Sequence, residues 1–176
     1  MKTIETKRFI LREVKKEDAE KIYKILSNKN VIANLNMSIH EKIDDTYMLL
    51  NDYFSGLEKN IKFPYAIIEK NTNEFIGVFL IKLDLYDEDC FEFTIYLDEN
   101  FWGKGVYTEV LPYMTKFTFE DIKTGNFRGF VMEKNKASSK VLEKCGFELE
   151  KIFEVPGLEG KIISYLITKE KYEERK

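Results

Sequence analysis

The segment Glu99–Leu111, ENFWGKGVYTEVL, places Gly103-Lys104-Gly105 between an aromatic pair and an apolar pattern with helical spacing. A glycine turn that leads into a helix leaves several backbone N–H groups unpaired, and the helix dipole adds about half a positive charge there. Phosphate binds well at such a site, and glycine lets the backbone approach it closely. The segment therefore predicts either a phosphate-binding turn or a tight turn that binds nothing.

Two common phosphate-binding motifs do not match this segment. A P-loop requires G-x-x-x-x-G-K-S/T, whereas here Lys104 precedes Gly105 and Thr108 lies too far along the chain. A dinucleotide-binding fingerprint requires a third glycine within a βαβ unit, and Tyr107-Thr108 supplies no glycine. Both motifs are therefore dismissed for this turn.

Hydrophobic periodicity along the chain predicts a mixed α/β fold with the element order βααβββαβαββ. Apolar and β-branched runs predict strands at residues 8–14, 63–70, 75–84, 90–97, 127–133, 148–155 and 161–168. Helical spacing predicts helices at residues 17–26, 44–57, 106–119 and 135–147. Residues 27–36 are expected to form a loop or a broken helix, and residues 169–176 a solvated tail. No repeat or linker is present, so we expect a single domain over residues 1–176.

Composition and charge argue against several classes of function. The 28 basic and 31 acidic residues give a net charge of −3, unlike the clustered positive charge of a nucleic-acid-binding protein. No apolar segment approaches the ~20 residues that span a bilayer, and the N-terminus does not resemble a signal peptide. Cys90, Cys145 and His40 have no metal-ligand spacing. We expect a cytoplasmic protein with reduced, packed cysteines, a surface-exposed His40, and no metal, nucleic-acid or membrane partner.

A second motif lies about thirty residues after the glycine turn. In NKASSKVLEKCGF, Asn135 and Ser138 stand at the start of a predicted helix that ends at Gly146-Phe147. On its own, this pattern indicates only a helix with an Asn cap. Together with the glycine turn, it resembles the GNAT superfamily of acetyl-CoA-dependent N-acetyltransferases.

The resemblance extends over nearly the whole chain. The family's cofactor motif, Q/R-x-x-G-x-G/A, overlays Trp102–Tyr107, and its N-x-x-S helix followed by G-F overlays Asn135–Phe147. TKRFILR, EFTIYL, FWGKG and GKIISYLIT are similar, in the same order, to motifs of the RimJ/RimL-like branch, which acetylates ribosomal-protein N-termini. The resemblance implies the GNAT acyl-CoA N-acyltransferase fold, an α/β (α+β) fold with a mixed central sheet of about seven strands flanked by about four helices.

The same resemblance implies acetyl-CoA as cofactor, with backbone amides from Gly103 to Thr108 facing its pyrophosphate. The Lys104 side chain either adds a charge toward the phosphates or faces solvent. The cofactor-binding residues expected in this way are Leu97, Trp102, Gly103, Lys104, Gly105, Val106, Tyr107, Thr108, Asn135 and Ser138.

Acetyl transfer to an amine requires a base, a donor that polarises the thioester carbonyl, and stabilisation of the departing thiolate. The resemblance implies Glu92 as the base, the alternative being a carboxylate that faces solvent. It implies a main-chain amide around Leu97 to Glu99 for the carbonyl and Ser138 for the thiolate. Asn135 would hold either the pantetheine arm or the hydroxyl group of Ser138.

Four features depart from the family pattern. Trp102 replaces Gln or Arg, and Tyr107 occupies the Gly/Ala position, where a small residue gives the phosphates room. Pro112 falls inside a predicted helix, where it should remove a hydrogen bond and kink the axis. The tyrosine that follows the Asn in many members has no counterpart. These departures leave open a second hypothesis, a catalytically weakened acyl-CoA-binding or sensing module.

The sequence does not identify the acceptor. A protein N-terminus, a polyamine and an aminoglycoside all fit a primary-amine acceptor, and the chain is expected to be a monomer or a homodimer. In this family the acceptor groove is built largely by the segment here spanning Ser27–Lys62. Its candidate polar residues are Asn28, Asn30, Asn34, His40, Asp44 and Asp45.

Overall fold

Eight strands and six α-helices form over the residues that the computed structural model describes, 1–35, 37–156 and 160–176. The strands are β1 (Ile4–Glu5), β2 (Phe9–Glu13), β3 (Lys62–Glu69), β4 (Phe75–Leu83), β5 (Cys90–Leu97), β6 (Asn126–Met132), β7 (Glu148–Glu154) and β8 (Lys161–Thr168). The helices are α1 (Ala19–Leu26), α2 (Lys29–Ile32), α3 (Ile43–Glu58), α4 (Val106–Phe117), α5 (Lys136–Lys144) and α6 (Lys169–Glu174). Strands β5 and β6 pair in parallel, whereas β6 and β8 pair antiparallel, so the sheet is mixed.

Residue contacts divide the chain into two units. The first contains residues 1–82 and 95–106, and the second contains residues 83–94 and 107–176. Strand β5 therefore begins in the second unit and ends in the first. Helix α4 begins with the last residue of the first unit, Val106.

In the first unit, β1 to β4 pair in sequence as antiparallel neighbours. Helix α1 places Ile22, Ile25 and Leu26 on one face, and this spacing buries them against the sheet. They join a core with residues from α3 and the strands, including Leu50, Tyr53, Ala66, Val78 and Tyr96. Two hydrogen bonds of 2.8 Å from Arg12 in β2 to Asp18 fix the chain just before α1.

The end of β5 approaches β4 closely at Gly77. A Cβ atom at Gly77 would lie 2.3 Å from the carbonyl oxygen of Tyr96 and 3.0 Å from the Cα atom of Leu97. Both contacts are with backbone, which cannot move aside as a flexible side chain could. Glycine at position 77 therefore permits the approach of the strand that carries Leu97, a candidate site residue.

In the second unit, the strands follow the order β5, β6, β8, β7. The core on one face is aromatic: the ring centroid of Phe93 lies 4.9 Å from that of Phe127 and 5.8 Å from that of Phe147. Gly129 in β6 lies beneath this cluster, because a Cβ atom there would come within 2.8 Å of the Phe93 ring. The buried side of α5 adds Leu142 to this core.

The fold class and the order of most elements predicted from the sequence are confirmed. Strand β5 begins and ends at the predicted residues, and α3 differs from its prediction by one residue at each end. The sheet has one more strand than expected, the two-residue β1, and α2 forms within the predicted loop or broken helix. Helix α4 ends at Phe117 and continues as a π-helical turn over Thr118–Ile122. The single-domain assignment stays a prediction.

Residues 169–176, predicted to be a solvated tail, have no buried residue in α6, but the helix itself was not predicted. The Thr168 hydroxyl caps this helix by accepting from the Lys171 N–H. The Tyr172 ring stacks on Phe119 at a centroid distance of 4.9 Å, and its hydroxyl donates to Glu120. Tyr172 is thus the one aromatic residue of α6, and its contacts attach an otherwise polar helix to Phe119 and Glu120.

Candidate active site

The glycine turn has the backbone that its sequence suggests. Gly103 and Gly105 have φ angles of 70° and 73°, in the left-handed region that side chains disfavour, and α4 begins at the next residue, Val106. A Cβ atom at Gly103 would meet nothing within 4 Å, so the turn is open on that side. The Trp102 indole N–H donates to the Leu97 carbonyl over 3.2 Å, which ties the turn to the end of β5. Open, left-handed glycines directly before a helix fit a phosphate group.

Two cationic side chains from different parts of the first unit lie at this turn. The Lys104 ammonium group is 5.0 Å from the centroid of the Phe101 ring, a cation–π distance. The Arg8 guanidinium group donates from Nη1 to the Lys104 carbonyl over 2.9 Å. Arg8 was not among the predicted site residues, since 96 positions separate it from Lys104. Its only signal in the sequence was the TKRFILR motif.

Tyr107, which replaces a small residue of the family motif, packs toward the interior of the second unit. Its ring makes an edge-on contact with Phe93 at a centroid distance of 6.4 Å. Burial raises the pKa of the Tyr107 hydroxyl well above its usual value, and the nearby Cys145 adds to this effect. Pro112 lies inside α4, as predicted.

Glu92 is half-buried in β5, between the buried side chains of Phe91 and Phe93. Because β5 and β6 are parallel and in register, Glu92 is opposite Arg128. Residues opposite each other on neighbouring strands share a face of the sheet, so Glu92 lies on the face opposite to Phe93 and its aromatic cluster. This position agrees with the predicted alternation along the strand.

Arg128 belongs to a buried polar cluster on the same face. Its guanidinium group forms a short contact with Asp84 and two hydrogen bonds of 2.9 Å with Glu150. The Ser164 hydroxyl donates to Glu150 over 2.6 Å. Burial by itself would raise the pKa of Glu150, but the hydrogen bonds from Arg128 and Ser164 outweigh it and lower that pKa. The charge on Arg128 is therefore already paired with two carboxylates beside Glu92.

Asn135 and Ser138 stand at the start of α5, as predicted. The Asn135 side-chain oxygen accepts a hydrogen bond of 3.1 Å from the backbone N–H of Ser138, so Asn135 is a helix N-cap. This bond uses the backbone of Ser138, and the Ser138 side chain is half-buried. The helix cap is therefore neither of the two contacts expected of Asn135, to the pantetheine arm or to the Ser138 hydroxyl, and these stay predictions.

The structure reduces the number of main-chain amides near the end of β5 that could polarise the thioester carbonyl. The N–H group of Asp98 donates to the Ile76 carbonyl over 2.9 Å. That amide is engaged within the sheet and is unsuited to polarise a thioester. Of the predicted segment Leu97 to Glu99, the amides of Leu97 and Glu99 are left as candidates.

Most polar residues of the predicted acceptor segment have structural contacts. Asn28 caps α2, and the Asp45 carboxylate accepts from two backbone N–H groups before α3. The Asn30 side chain donates to Glu99, and that of Asn34 donates to the Asn30 carbonyl. These contacts shape the segment, and they explain why it shows no recognisable substrate signature.

The prediction that His40 lies on the surface is wrong. Its side chain is only 8% exposed, and Nδ1 lies 2.8 Å from the Thr46 hydroxyl oxygen. Burial lowers the pKa of His40, although the charge of Asp45 opposes this effect. The polar sequence around His40 concealed its burial because the contact is made through Thr46 on the following helix.

The two cysteines are free thiols and are not suited to nucleophilic chemistry. Burial raises the pKa of Cys90 to about 12, and burial also raises that of Cys145. A thiol that stays protonated is a poor nucleophile. Within residues 1–35, 37–156 and 160–176, no group of three or more His, Cys, Asp or Glu side chains is arranged to hold a metal ion.

A groove of about 320 Å³ lies in the second unit, beside Thr108 and Pro112 of α4. Its walls combine aromatic and aliphatic side chains with cationic ones, and include Lys144, Cys145, Ile167, Tyr172 and Arg175. The Arg175 guanidinium group donates to the Lys144 carbonyl over 3.5 Å, at the end of α5. Apolar walls with cations at the edge suit a ligand that is both aromatic and anionic.

The predicted site residues therefore fall into two sets. Leu97 and residues Trp102 to Val106 lie together in the first unit, with Arg8 as an added member. The others lie in the second unit: Glu92 on one sheet face, Tyr107 in contact with Phe93 on the opposite face, and Thr108, Asn135 and Ser138. The roles of these residues stay predictions.

Comparison with known proteins identifies the family. A family model described as Acetyltransferase (GNAT) domain matches residues 8–148. The chain belongs to the GNAT acetyltransferase family. One curated relative, the uncharacterized N-acetyltransferase YoaA of Bacillus subtilis (strain 168), is 24% identical over 147 residues, which cover 84% of this chain and 83% of YoaA.

Solved structures of GNAT enzymes share the fold. The ribosomal-protein-S5-alanine acetyltransferase from Vibrio fischeri has a TM-score of 0.84 at 17% identity, over 98% of this chain and 99% of that one. The spermidine N-acetyltransferase from Vibrio cholerae, in complex with CoA and spermine, has a TM-score of 0.81 at 19% identity, over 94% of this chain and 98% of that one. The predicted GNAT fold and N-acetyltransferase family are thus confirmed. Over the described residues, no helix has both the length and the apolar character needed to cross a bilayer.

Proposed function

We propose that this GNAT protein transfers the acetyl group of acetyl-CoA to a primary amine, either a protein N-terminus or a small amine. The observation that carries the proposal is the open turn at Gly103 and Gly105, which precedes α4 with both glycines left-handed. Amides from Gly103 to Thr108 would bind the pyrophosphate, because the helix start presents unpaired donors and a positive dipole end. We also propose the predicted cytoplasmic location, which the free thiols of Cys90 and Cys145 favour.

Acetyl-CoA supplies an activated acetyl group as a thioester. The amine nitrogen forms a bond to the acetyl carbon while the bond from that carbon to sulfur breaks. Glu92 would take the proton that the amine loses, and the Ser138 hydroxyl would donate to the sulfur that leaves as thiolate. The amide of Leu97 or Glu99 would donate to the carbonyl oxygen as negative charge develops there.

The surroundings of Glu92 support its role as the base. It is half-buried on the sheet face opposite the aromatic core, and Arg128 beside it is bound to Asp84 and Glu150. A carboxylate held in position on this face is a suitable general base for the proton of an amine.

We further propose that the groove beside Thr108 takes the phosphorylated adenosine end of the coenzyme. Its aromatic and aliphatic walls suit the purine, and Lys144 suits the 3′-phosphate. Coenzyme A should then bind more tightly than its 3′-dephospho form, and Lys144→Ala should reduce that difference. Equal affinity of the two coenzymes for the wild type would contradict this assignment.

The alternative, an acyl-CoA-binding module without turnover, loses one of its supports. It rested partly on Tyr107, whose side chain packs edge-on against Phe93 within the second unit. The acceptor would be found by following thiol release from acetyl-CoA with a panel of amines and peptide N-termini. Acceptor-dependent thiol release supports the enzyme, whereas binding of acetyl-CoA without release by any acceptor supports the module.

A further inference from the structure

The Arg8 side chain reaches the glycine turn from the beginning of the chain. It lies just before β2, and its Nη1 atom donates to the Lys104 carbonyl oxygen over 2.9 Å. Its Nη2 atom is 3.5 Å from the position that a Cβ atom of Gly105 would occupy. The guanidinium group therefore lies alongside the peptide that joins Lys104 to Gly105.

The orientation of that peptide decides where the Gly105 N–H points. In a trans peptide, the C=O of one residue and the N–H of the next point in opposite directions, and no cis peptide occurs over the described residues. Arg8 holds the Lys104 C=O on its own side, so the Gly105 N–H is directed to the other side. A left-handed glycine has much backbone freedom, which the bond from Arg8 restricts.

We propose that Arg8 is a positioning residue for the cofactor pyrophosphate, acting through the Lys104 carbonyl to hold the Gly105 amide in its donating orientation. The inference rests on the proposed function, since it concerns the same phosphate site. A donor that is already oriented binds an anion more tightly, because less entropy is lost on binding.

Two other cationic residues, Lys104 and Arg12, are engaged elsewhere, which favours Arg8 for this role. The Lys104 ammonium group lies over the Phe101 ring and does not hold its own backbone. Arg12, within the strand β2 that follows Arg8, makes two hydrogen bonds to Asp18 before α1. The planar fork of arginine can donate from Nη1 while Nη2 lies beside Gly105, a geometry that a lysine ammonium cannot reproduce.

The test compares acetyl-CoA with acetyl-pantetheine, which carries the same thioester but lacks the pyrophosphate. For Arg8→Ala, the KM for acetyl-CoA should rise about tenfold, the typical effect of losing a hydrogen bond to a charged group. The kcat with acetyl-CoA and the KM for acetyl-pantetheine should change little. Arg8→Lys should recover only part of the loss, and the exposed neighbour Lys7→Ala, which removes the same charge, should behave as the wild type.

The outcomes separate the inference from the function on which it rests. If the wild type turns over acetyl-CoA and Arg8→Ala raises the KM of both acetyl donors equally, Arg8 has only a general structural role and the inference is overturned. An unchanged KM for acetyl-CoA in Arg8→Ala would also overturn it. If the wild type neither binds nor turns over acetyl-CoA, the proposed function fails and the inference fails with it.

Discussion

Tyr53 and Tyr96 join their hydroxyl groups in the core of the first unit, with the two oxygens 3.2 Å apart. The side chains are 1% and 2% exposed, and burial raises the pKa of both. Tyr53 lies on α3 and Tyr96 lies on β5, four residues after Glu92. The pair therefore anchors α3, a helix of the predicted acceptor segment, to the strand that carries the proposed base.

The two tyrosine hydroxyls should be coupled in stability. The double variant should lose less free energy of unfolding than the sum of the losses of the two single variants. Tyr53→Phe or Tyr96→Phe leaves a buried hydroxyl without its partner, at a cost of about 1–2 kcal/mol in the free energy of unfolding. In the double Phe variant no hydroxyl is left to desolvate, so the total cost should be well below the sum of the two single costs. Urea denaturation of the four proteins measures this coupling. Strictly additive losses would contradict it.

The burial of His40 should make stability depend on pH. Burial lowers the pKa of His40 in the folded state below the value of about 6.5 expected in the unfolded chain. As the pH falls through that value, the unfolded state binds a proton that the folded state resists, so stability is lost. Above it, both states are neutral and the contribution of His40 is constant.

His40→Asn should remove this component while keeping a side-chain partner for Thr46. The free energy of unfolding of the wild type should fall more than that of the variant between about pH 7 and about pH 5.5. The carboxylates are common to both proteins, so the difference isolates His40. Parallel pH profiles for the two proteins would show that His40 titrates alike in the folded and unfolded states.

Glu92→Gln should lower kcat about 10²–10⁴-fold with little change in the affinity for acetyl-CoA, because a positioned base typically contributes this much. The loss should shrink as the pH rises toward the pKa of the acceptor amine, since more amine is then already neutral. Steady-state kinetics from neutral to alkaline pH measure both effects. Wild-type turnover by the variant at neutral pH would assign proton removal to solvent or to another group.

Ser138→Ala should lower kcat less, by about tenfold, because water can partly replace a hydroxyl donor at the sulfur. The backbone N–H of Ser138 stays bound to Asn135 in this variant, so α5 should keep its cap. An unchanged circular dichroism spectrum would confirm that. A fall in kcat as large as that of Glu92→Gln would mean that the hydroxyl is a required proton donor.

The elements that could be predicted are those whose local pattern and tertiary role agree. In α3, the helical period and the buried face coincide, and in β5 the alternation of Phe91, Glu92 and Phe93 matches their burial. The cap formed by Asn135 was predicted because its bond to Ser138 spans only three residues. Local rules were sufficient for all of these.

The features that escaped prediction depend on contacts with distant residues. Helix α6 is held by Tyr172 through Phe119 and Glu120, about fifty positions earlier. Arg8 reaches Lys104 across 96 positions. Neither contact changes the hydrophobic pattern or creates a motif in its own segment. From the sequence alone, a residue that makes such a contact cannot be distinguished from one exposed to solvent.

The central claim is that the turn at Gly103–Gly105 binds the pyrophosphate of acetyl-CoA, and calorimetric titration of acetyl-CoA tests it most directly. The wild type should bind, and Gly105→Val should bind at least about tenfold more weakly, because a β-branched residue disfavours the φ of 73° that orients the turn. Gly160→Val is the matched control, since Gly160 has a φ of 92° with open space around it in the second unit. It should bind as the wild type does. Absence of heat from a folded wild type, or equal binding by Gly105→Val, would contradict the account.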